Sequence, residues 1–143
     1  PYFVVRKATD KSAEAPALLT AYGGFNLSRL PTFGPGRFAW LEKGGIFVQA
    51  SLRGGGEYGE GWHRAGMLGK KQNVFDDFFA VAEDLVQEGY TSRARLGISG
   101  RSNGGLLVGA AMTQRPELFG AVVCGVPLLD MVRYTKYGTG KTW

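Results

Sequence analysis

The sequence predicts an α/β domain in which a mostly parallel sheet carries helices on both faces. Short apolar runs alternate with segments of helical periodicity along the 143 residues, which is about the size of one domain. The apolar runs are nearly continuous, as in strands that are buried on both faces of a parallel sheet. The 23 glycines cluster between the runs, where tight turns and close backbone approach are needed.

Five apolar runs are predicted to be strands because they are short and rich in aliphatic residues. In chain order they read YFVVR, ALLTAY, GIFVQASL, ARLGISG and GAVVCGV. Between the second and third lies GRFAWLEKG, a predicted short helix that Gly44 is expected to end. After the third strand, the chain is predicted to form a long glycine-rich loop from Arg53 to about Asn73.

The clearest predicted helix is VFDDFFAVAEDLVQEG. Its apolar residues fall on one stripe of a helix with 3.6 residues per turn, namely Phe75, Phe78, Phe79, Ala82, Leu85 and Val86. Asp76 and Asp77 are expected in its first turn, where carboxylates suit the helix dipole, and Gly89 is expected to end it. NGGLLVGAAMTQRP is predicted to form the next helix.

Composition disfavours several classes of partner. The net charge is +5, but the densest basic group, from Arg64 to Lys71, has no interleaved aromatic residues that could stack on bases, so nucleic acid is not expected. No stretch approaches the roughly 18 apolar residues that span a bilayer. No signal peptide is visible, so no membrane partner is expected, and the compartment stays open between cytoplasm and periplasm. Cys124, the single cysteine, excludes a disulfide within the chain and is expected to be a buried thiol. Neither a metal nor a cofactor is expected.

Two glycine motifs resemble nucleotide-binding sequences but lack the expected context. GGGEYG matches G-x-G-x-x-G at Gly54, Gly56 and Gly59. A pyrophosphate needs a helix directly after the glycines, and the segment EGWHRAGMLGKK that follows shows no clean apolar stripe. GTGKT, residues 138–142, resembles the end of a phosphate-binding loop, but Thr135 stands where that loop has glycine.

A third motif, G-x-S-x-G, has the context that it needs. Gly100, Ser102 and Gly104 stand between the predicted strand RLGIS and the predicted helix GGLLVGAAMTQ. A nucleophile elbow places its serine in a strained turn between strand and helix, which requires small neighbours. The backbone N–H of Asn103 would then lie near the position where an oxyanion forms. The alternative is an ordinary turn in which Ser102 caps the helix, and the motif alone leaves both open.

The segments around this motif carry a resemblance to a known family. They are AYGGFN, SLRGGGEYGEGWHRAG, KKQNVFDDF, EGYTSRARLGISGRSNGGLLV, QRPELFGAVV and VPLLDM. In this order, and along essentially the whole chain, they resemble the catalytic domain of the prolyl oligopeptidase family. The resemblance implies an α/β-hydrolase fold and a serine endopeptidase that hydrolyses short proline-containing peptides after proline.

The resemblance also implies a role for three residues in catalysis. Ser102 resembles the nucleophile of the family's G-G-S-N-G-G segment, although Arg101 stands here in place of the glycine before the serine. The backbone N–H of Asn103 matches one donor to the oxyanion. The hydroxyl of Tyr22, in YGGF, matches the second donor.

Three further residues match the family's pocket for the substrate proline. Phe25 and Leu128 match residues that line it, and Trp143 matches the tryptophan on which the proline ring stacks. A pyrrolidine ring offers only apolar surface and no donor, so a wide pocket of aromatic rings suits it physically.

The acid and base of a triad are not found at matching positions. Triad residues of α/β-hydrolases follow the order Ser, Asp, His, whereas the single histidine, His63, precedes the serine and is interpreted as a loop residue. Asp130 follows the serine but lies in LLDM, which the family does not use for its triad acid. Residues 1–143 are therefore expected to form a partial catalytic domain. Its expected partners are the C-terminal acid and base segment and the family's N-terminal β-propeller, and the piece alone is expected to be inactive.

Three alternatives stay open. A related family that cleaves after Lys or Arg tends to carry alanine at the position of Asn103 and uses acidic residues to hold the basic side chain. A non-catalytic binding module could keep the hydrolase scaffold. An esterase or lipase is disfavoured by the aromatic pocket residues and by the lack of an H-G-G-G motif.

Overall fold

A computed structural model describes residues 1–8 and 15–142 and contains a central sheet of five strands. The strands are β1 (Tyr2–Val5), β2 (Ala17–Thr20), β3 (Ile46–Ala50), β4 (Leu96–Arg101) and β5 (Ala121–Gly125). Their order across the sheet is β1-β3-β2-β4-β5. β1 is antiparallel to β3 and all other neighbours are parallel, which confirms the predicted mostly parallel sheet.

Helices follow β2, β3 and β4 along the chain. The α-helices of the described residues are α1 (Pro35–Glu42), α2 (Glu60–Arg64), α3 (Gln72–Gln87) and α4 (Asn103–Gln114). Short 3₁₀ turns lie at Leu68–Lys70, Arg93–Arg95, Pro116–Leu118, Tyr134–Lys136 and Gly138–Thr142. In the part of the chain that the structure describes, no helix is both long and apolar enough to cross a bilayer.

The longest helix, α3, supplies much of the core. Its buried side chains are Val74, Phe75, Phe78, Phe79, Val81, Ala82 and Leu85, which include all of the predicted stripe except the partly exposed Val86. The helix begins at Gln72, earlier than predicted, so Asp76 and Asp77 do not lie in its first turn. Instead, Asp77 accepts hydrogen bonds from the backbone N–H and the guanidinium group of Arg53, at 2.6–3.0 Å.

The glycine-rich segment is not a continuous loop, which corrects the prediction for residues 53–73. α2 begins directly after Gly59, and the 3₁₀ turn Leu68–Lys70 follows it. The glycine turn before α2 does not suit a pyrophosphate, because the carboxylate of Glu57 lies against it: a Cβ atom on Gly55 would meet Oε2 of Glu57. Oε1 of Glu57 accepts a hydrogen bond from the backbone N–H of Arg29 at 2.9 Å. A second anion there would be repelled.

The sheet brings two chain segments together at one of its ends. Thr20 of β2 lies opposite Ser99 of β4 in a parallel register. The residues that follow both strands therefore meet beyond the same end of the sheet, where ligands of open α/β sheets bind.

β5 lies at the side of the sheet and pairs only with β4 among the described strands. Val123 on this strand is 61% exposed. Cys124 was predicted to be buried but is only half-buried, and its thiol donates to the carbonyl oxygen of Gly105 at 3.3 Å. Its partial exposure follows from its place on a strand with one neighbour.

Candidate active site

Ser102 sits in a strained turn between β4 and α4. Its backbone φ of 57° and ψ of −119° lie in a region that L-residues rarely adopt. Its N–H donates to the carbonyl oxygen of Gly125 at 3.1 Å, and its own carbonyl oxygen accepts from the N–H of Leu106 at 3.0 Å. The side chain makes no capping hydrogen bond to the helix and is exposed. The geometry is that of a nucleophile elbow and not of a capping serine.

The two flanking glycines are required by the closeness of the backbone in this turn. A Cβ atom on Gly100 would lie 2.0 Å from the carbonyl oxygen of Gly104, and one on Gly104 would lie 3.0 Å from the carbonyl oxygen of Ala21. Arg101 has no left-handed backbone conformation. Its position therefore tolerates a side chain, even though the related motif has glycine there.

Asn103 follows the serine directly, and Tyr22 is hydrogen-bonded to Asn103. Asn103 is the first residue of α4, where a backbone N–H has no acceptor within the helix. Its side chain is 6% exposed and donates from Nδ2 to the carbonyl oxygen of Tyr22 at 2.6 Å. The Tyr22 ring lies 6.4 Å from the ring of Phe25, measured between centroids. The Arg29 guanidinium lies over the Tyr22 ring, with its Cζ 4.6 Å from the centroid.

A pocket of about 250 Å³ opens beside the serine. It brings together five of the six predicted site residues and adds Leu27; its lining is Tyr22, Phe25, Leu27, Ser102, Asn103 and Leu128. The sixth, Trp143, lies outside the described residues. With Phe25, Leu27 and Leu128 on its walls, the pocket offers an apolar surface next to an exposed hydroxyl.

His63 does not line this pocket. It lies in α2, and its Nδ1 is 2.7 Å from the carbonyl oxygen of Gly54 and 3.2 Å from the backbone nitrogen of Asn26. His63 thus joins two loops in this structure.

The sequence patterns missed Lys71, the residue before α3. Its Nζ donates to the carbonyl oxygen of Gly23 at 2.9 Å and lies 3.5 Å from Oδ1 of Asn103. Burial lowers the pKa of Lys71 from 10.5 to about 8, because desolvation disfavours the charged form. Lys71 follows Lys70 in a segment without periodicity, so no sequence signal separated the two lysines. Leu27 was missed because a single leucine in a loop carries no pattern.

A metal ion needs several ligating side chains grouped together. Among residues 1–8 and 15–142, no group of three or more His, Cys, Asp or Glu side chains is arranged to hold an ion.

Comparison with known proteins shows the family to which the chain belongs. Residues 31–141 match the model of the prolyl oligopeptidase family. The chain belongs to the prolyl oligopeptidase family. It is 49% identical over 138 residues to the prolyl endopeptidase of Elizabethkingia meningoseptica, an alignment that covers 96% of this chain and 20% of that protein.

Solved structures agree in fold. A structure from a study of two prolyl endopeptidases is 62% identical, with a TM-score of 0.98, and the match covers 100% of this chain and 21% of that one. A post-proline cleaving enzyme from Rickettsia typhi is 51% identical with a TM-score of 0.96, covering 100% and 21% of the two chains. The fold is therefore that of an α/β-hydrolase, as the sequence predicted. The chain spans about one fifth of the length of these relatives.

Proposed function

We propose that the protein containing this chain is a serine endopeptidase that hydrolyses short peptides after proline. The observation that carries the proposal is the strained Ser102, whose exposed hydroxyl adjoins an apolar pocket. Its relatives include a prolyl endopeptidase by sequence, and a structure from a study of prolyl endopeptidases and that of a post-proline cleaving enzyme share its fold. The remainder of the catalytic domain, which would supply the acid and the base, and a β-propeller domain are the proposed partners of this piece.

In the proposed reaction, Oγ of Ser102 attacks the carbonyl carbon of the substrate proline while a base takes its proton. The resulting oxyanion accepts hydrogen bonds from the N–H of Asn103 and the hydroxyl of Tyr22. The C–N bond then breaks, and the leaving amine takes the proton from the base. Water hydrolyses the acyl ester and restores the serine.

Specificity for proline is proposed to come from the pocket walls. Phe25 and Leu128 would pack on the pyrrolidine ring, and Trp143 would stack on it. No acidic side chain is among the described residues that line the pocket. The alternative specificity, for Lys or Arg, needs such a carboxylate and is disfavoured.

Fluorophosphonate labelling of the complete protein tests the nucleophile. We expect Ser102 to be modified and Ser102→Ala to abolish both labelling and peptide hydrolysis, since triad residues act as a unit. Ser92→Ala, at the other end of β4, serves as the control and should leave both unchanged. Normal turnover by Ser102→Ala would reject the proposal.

Chromogenic substrates test the specificity. The complete protein should hydrolyse a substrate with Gly-Pro before the scissile bond and not one with Gly-Arg. Preferential cleavage after arginine would reject the proline pocket. A protein that reacts with neither substrate nor fluorophosphonate would favour a non-catalytic module.

A further inference from the structure

Lys71 joins the two segments that carry the proposed oxyanion donors. One segment is the loop after β2, where Nζ of Lys71 donates to the carbonyl oxygen of Gly23 at 2.9 Å. The other is the start of α4, where Nζ lies 3.5 Å from Oδ1 of Asn103. The same Asn103 side chain donates from Nδ2 to the carbonyl oxygen of Tyr22 at 2.6 Å. The three groups form one connected network.

This network fixes backbone positions and not only side chains. The carbonyl groups of Tyr22 and Gly23 are both held, so the peptide that follows Tyr22 has little freedom to rotate. On the other side, the Asn103 side chain is packed against Gly24, where a Cβ atom would lie 2.5 Å from Nδ2. The ammonium group of Lys71 therefore adds a second link between the loop and the helix start, beside the direct hydrogen bond from Asn103 to Tyr22.

The bridge is made by a half-buried cation without a counter-ion among the described residues. No carboxylate of the described residues forms an ion pair with Lys71. Burial lowers its pKa to about 8, so most of the charge is retained at pH 7. A partly desolvated charge without a counter-ion opposes folding unless fixed dipoles stabilise it. Here the dipoles are the carbonyl groups of Gly23 and of the Asn103 side chain.

We propose that Lys71 is a positioning residue of the oxyanion site, whose ammonium group holds the Tyr22–Gly23 backbone against Asn103. The proposal rests on the function proposed above and extends it. Lys71 is not among the residues that line the pocket, so its effect acts through the placement of Tyr22 and Asn103. Displacing a donor by about 1 Å can cost on the order of 10²-fold in rate.

The test compares neighbouring lysines in the complete protein. Lys71→Met should lower both kcat on a Gly-Pro substrate and the rate of fluorophosphonate labelling by about 10²-fold, with a much smaller change in KM. Lys71→Arg, which keeps the charge and donors, should restore part of kcat. Lys70→Met removes an exposed lysine one residue away and should match the unchanged protein.

A double-mutant cycle separates positioning from a general loss of stability. If Lys71 acts by placing Tyr22, the loss caused by Lys71→Met should be much smaller in the Tyr22→Phe background. Additive losses, or an unchanged kcat in Lys71→Met, would overturn the proposal. If Lys71→Met does not fold, Lys71→Gln takes its place in the cycle and is judged by the same two outcomes.

The outcomes also distinguish the two proposals. If the unchanged protein is labelled and active, and Lys71→Met has the same kcat and labelling rate, only the role of Lys71 is rejected. An unchanged protein that is neither labelled nor active rejects the serine peptidase, and the role of Lys71 with it.

Discussion

Ser102 holds a backbone conformation that costs about 1–3 kcal/mol in a non-glycine residue. Three features of its surroundings impose this conformation: the acceptor at Gly125, the donor at Leu106 and the close approach of Gly100 to Gly104. Strain of this kind persists where the neighbouring structure determines the backbone conformation. This conformation leaves the Ser102 hydroxyl without a hydrogen bond to the helix that follows it. Such placement suits the proposed nucleophile and does not suit a residue that caps the helix.

The phenolic hydroxyl of Tyr22 can be tested separately from its ring. Tyr22→Phe in the complete protein should lower kcat by about 10²–10³-fold, typical of losing one oxyanion donor, with KM less affected. Steady-state kinetics on a Gly-Pro substrate measure both. Tyr58→Phe, which changes an exposed tyrosine, is the matched control. An unchanged kcat in Tyr22→Phe would leave this residue with a packing role.

Lys71 should give stability a recognisable pH dependence. Its pKa is about 8 in the folded protein and 10.5 ordinarily. Between these values the unfolded chain holds a proton that the folded protein has released, so the free energy of unfolding should rise with pH across this window. Below pH 8 both states are protonated and the contribution is constant.

Urea denaturation of the complete protein measures this contribution. The midpoint should be compared between the unchanged protein and Lys71→Met at pH 7, 8, 9 and 10. The midpoint of the unchanged protein should rise relative to that of Lys71→Met as pH rises above 8. A difference that stays flat between pH 8 and pH 10 would contradict the lowered pKa.

At the scale of single residues, the sequence indicated those parts of the site that carry a motif. Ser102 and its glycines were predicted because an elbow restricts which residues fit, and the other predicted site residues because the flanking segments resemble a family. Lys71 was not found, because its role depends on a contact with Gly23, 48 positions away in the sequence. Long-range contacts of loop residues leave no local pattern.

The elbow between β4 and α4 is the element on which the site depends. Gly100→Ala would place a Cβ atom 2.0 Å from the carbonyl oxygen of Gly104, so the turn must open. We expect fluorophosphonate labelling of Ser102 to fall by about 10²-fold, as displacement of a reacting group does.

A second glycine provides the control for this variant. Gly36 lies in α1, and a Cβ atom at this position would meet no neighbouring group within 4 Å. Gly36→Ala should therefore keep full labelling and favour the helix. Equal labelling of Gly100→Ala and the unchanged protein would show that the elbow tolerates a side chain.

The strands were predicted more accurately than the helices between β3 and β4, and the difference has physical reasons. The five strands are nearly continuous apolar runs, and they could be recognised without knowledge of their partners. The segment from Arg53 to Asn73 was mistaken for a loop because α2 has only five residues, too few for a periodic pattern. The start of α3 was placed late because Gln72 and Asn73 are polar and precede the first apolar residue of the stripe.

For the whole molecule, the sheet and the site suggest what this chain does in isolation. Its single histidine, His63, is bonded to the Gly54 loop and does not line the pocket of Ser102. A serine hydroxyl without a base is a poor nucleophile at neutral pH. We therefore expect no hydrolysis of a Gly-Pro substrate by the purified 143-residue chain.

The same chain should associate with itself or bind the rest of its protein. β5 has a partner strand on one side only in the described part of the sheet, and its Val123 is exposed, as is Val126 beyond it. Unpaired strand groups and apolar side chains favour pairing with another strand. Analytical ultracentrifugation of the chain, alone and mixed with the remaining segments, measures this association. A monodisperse monomer that hydrolyses the substrate would contradict both expectations, and His63 would then be the only histidine able to act as its base.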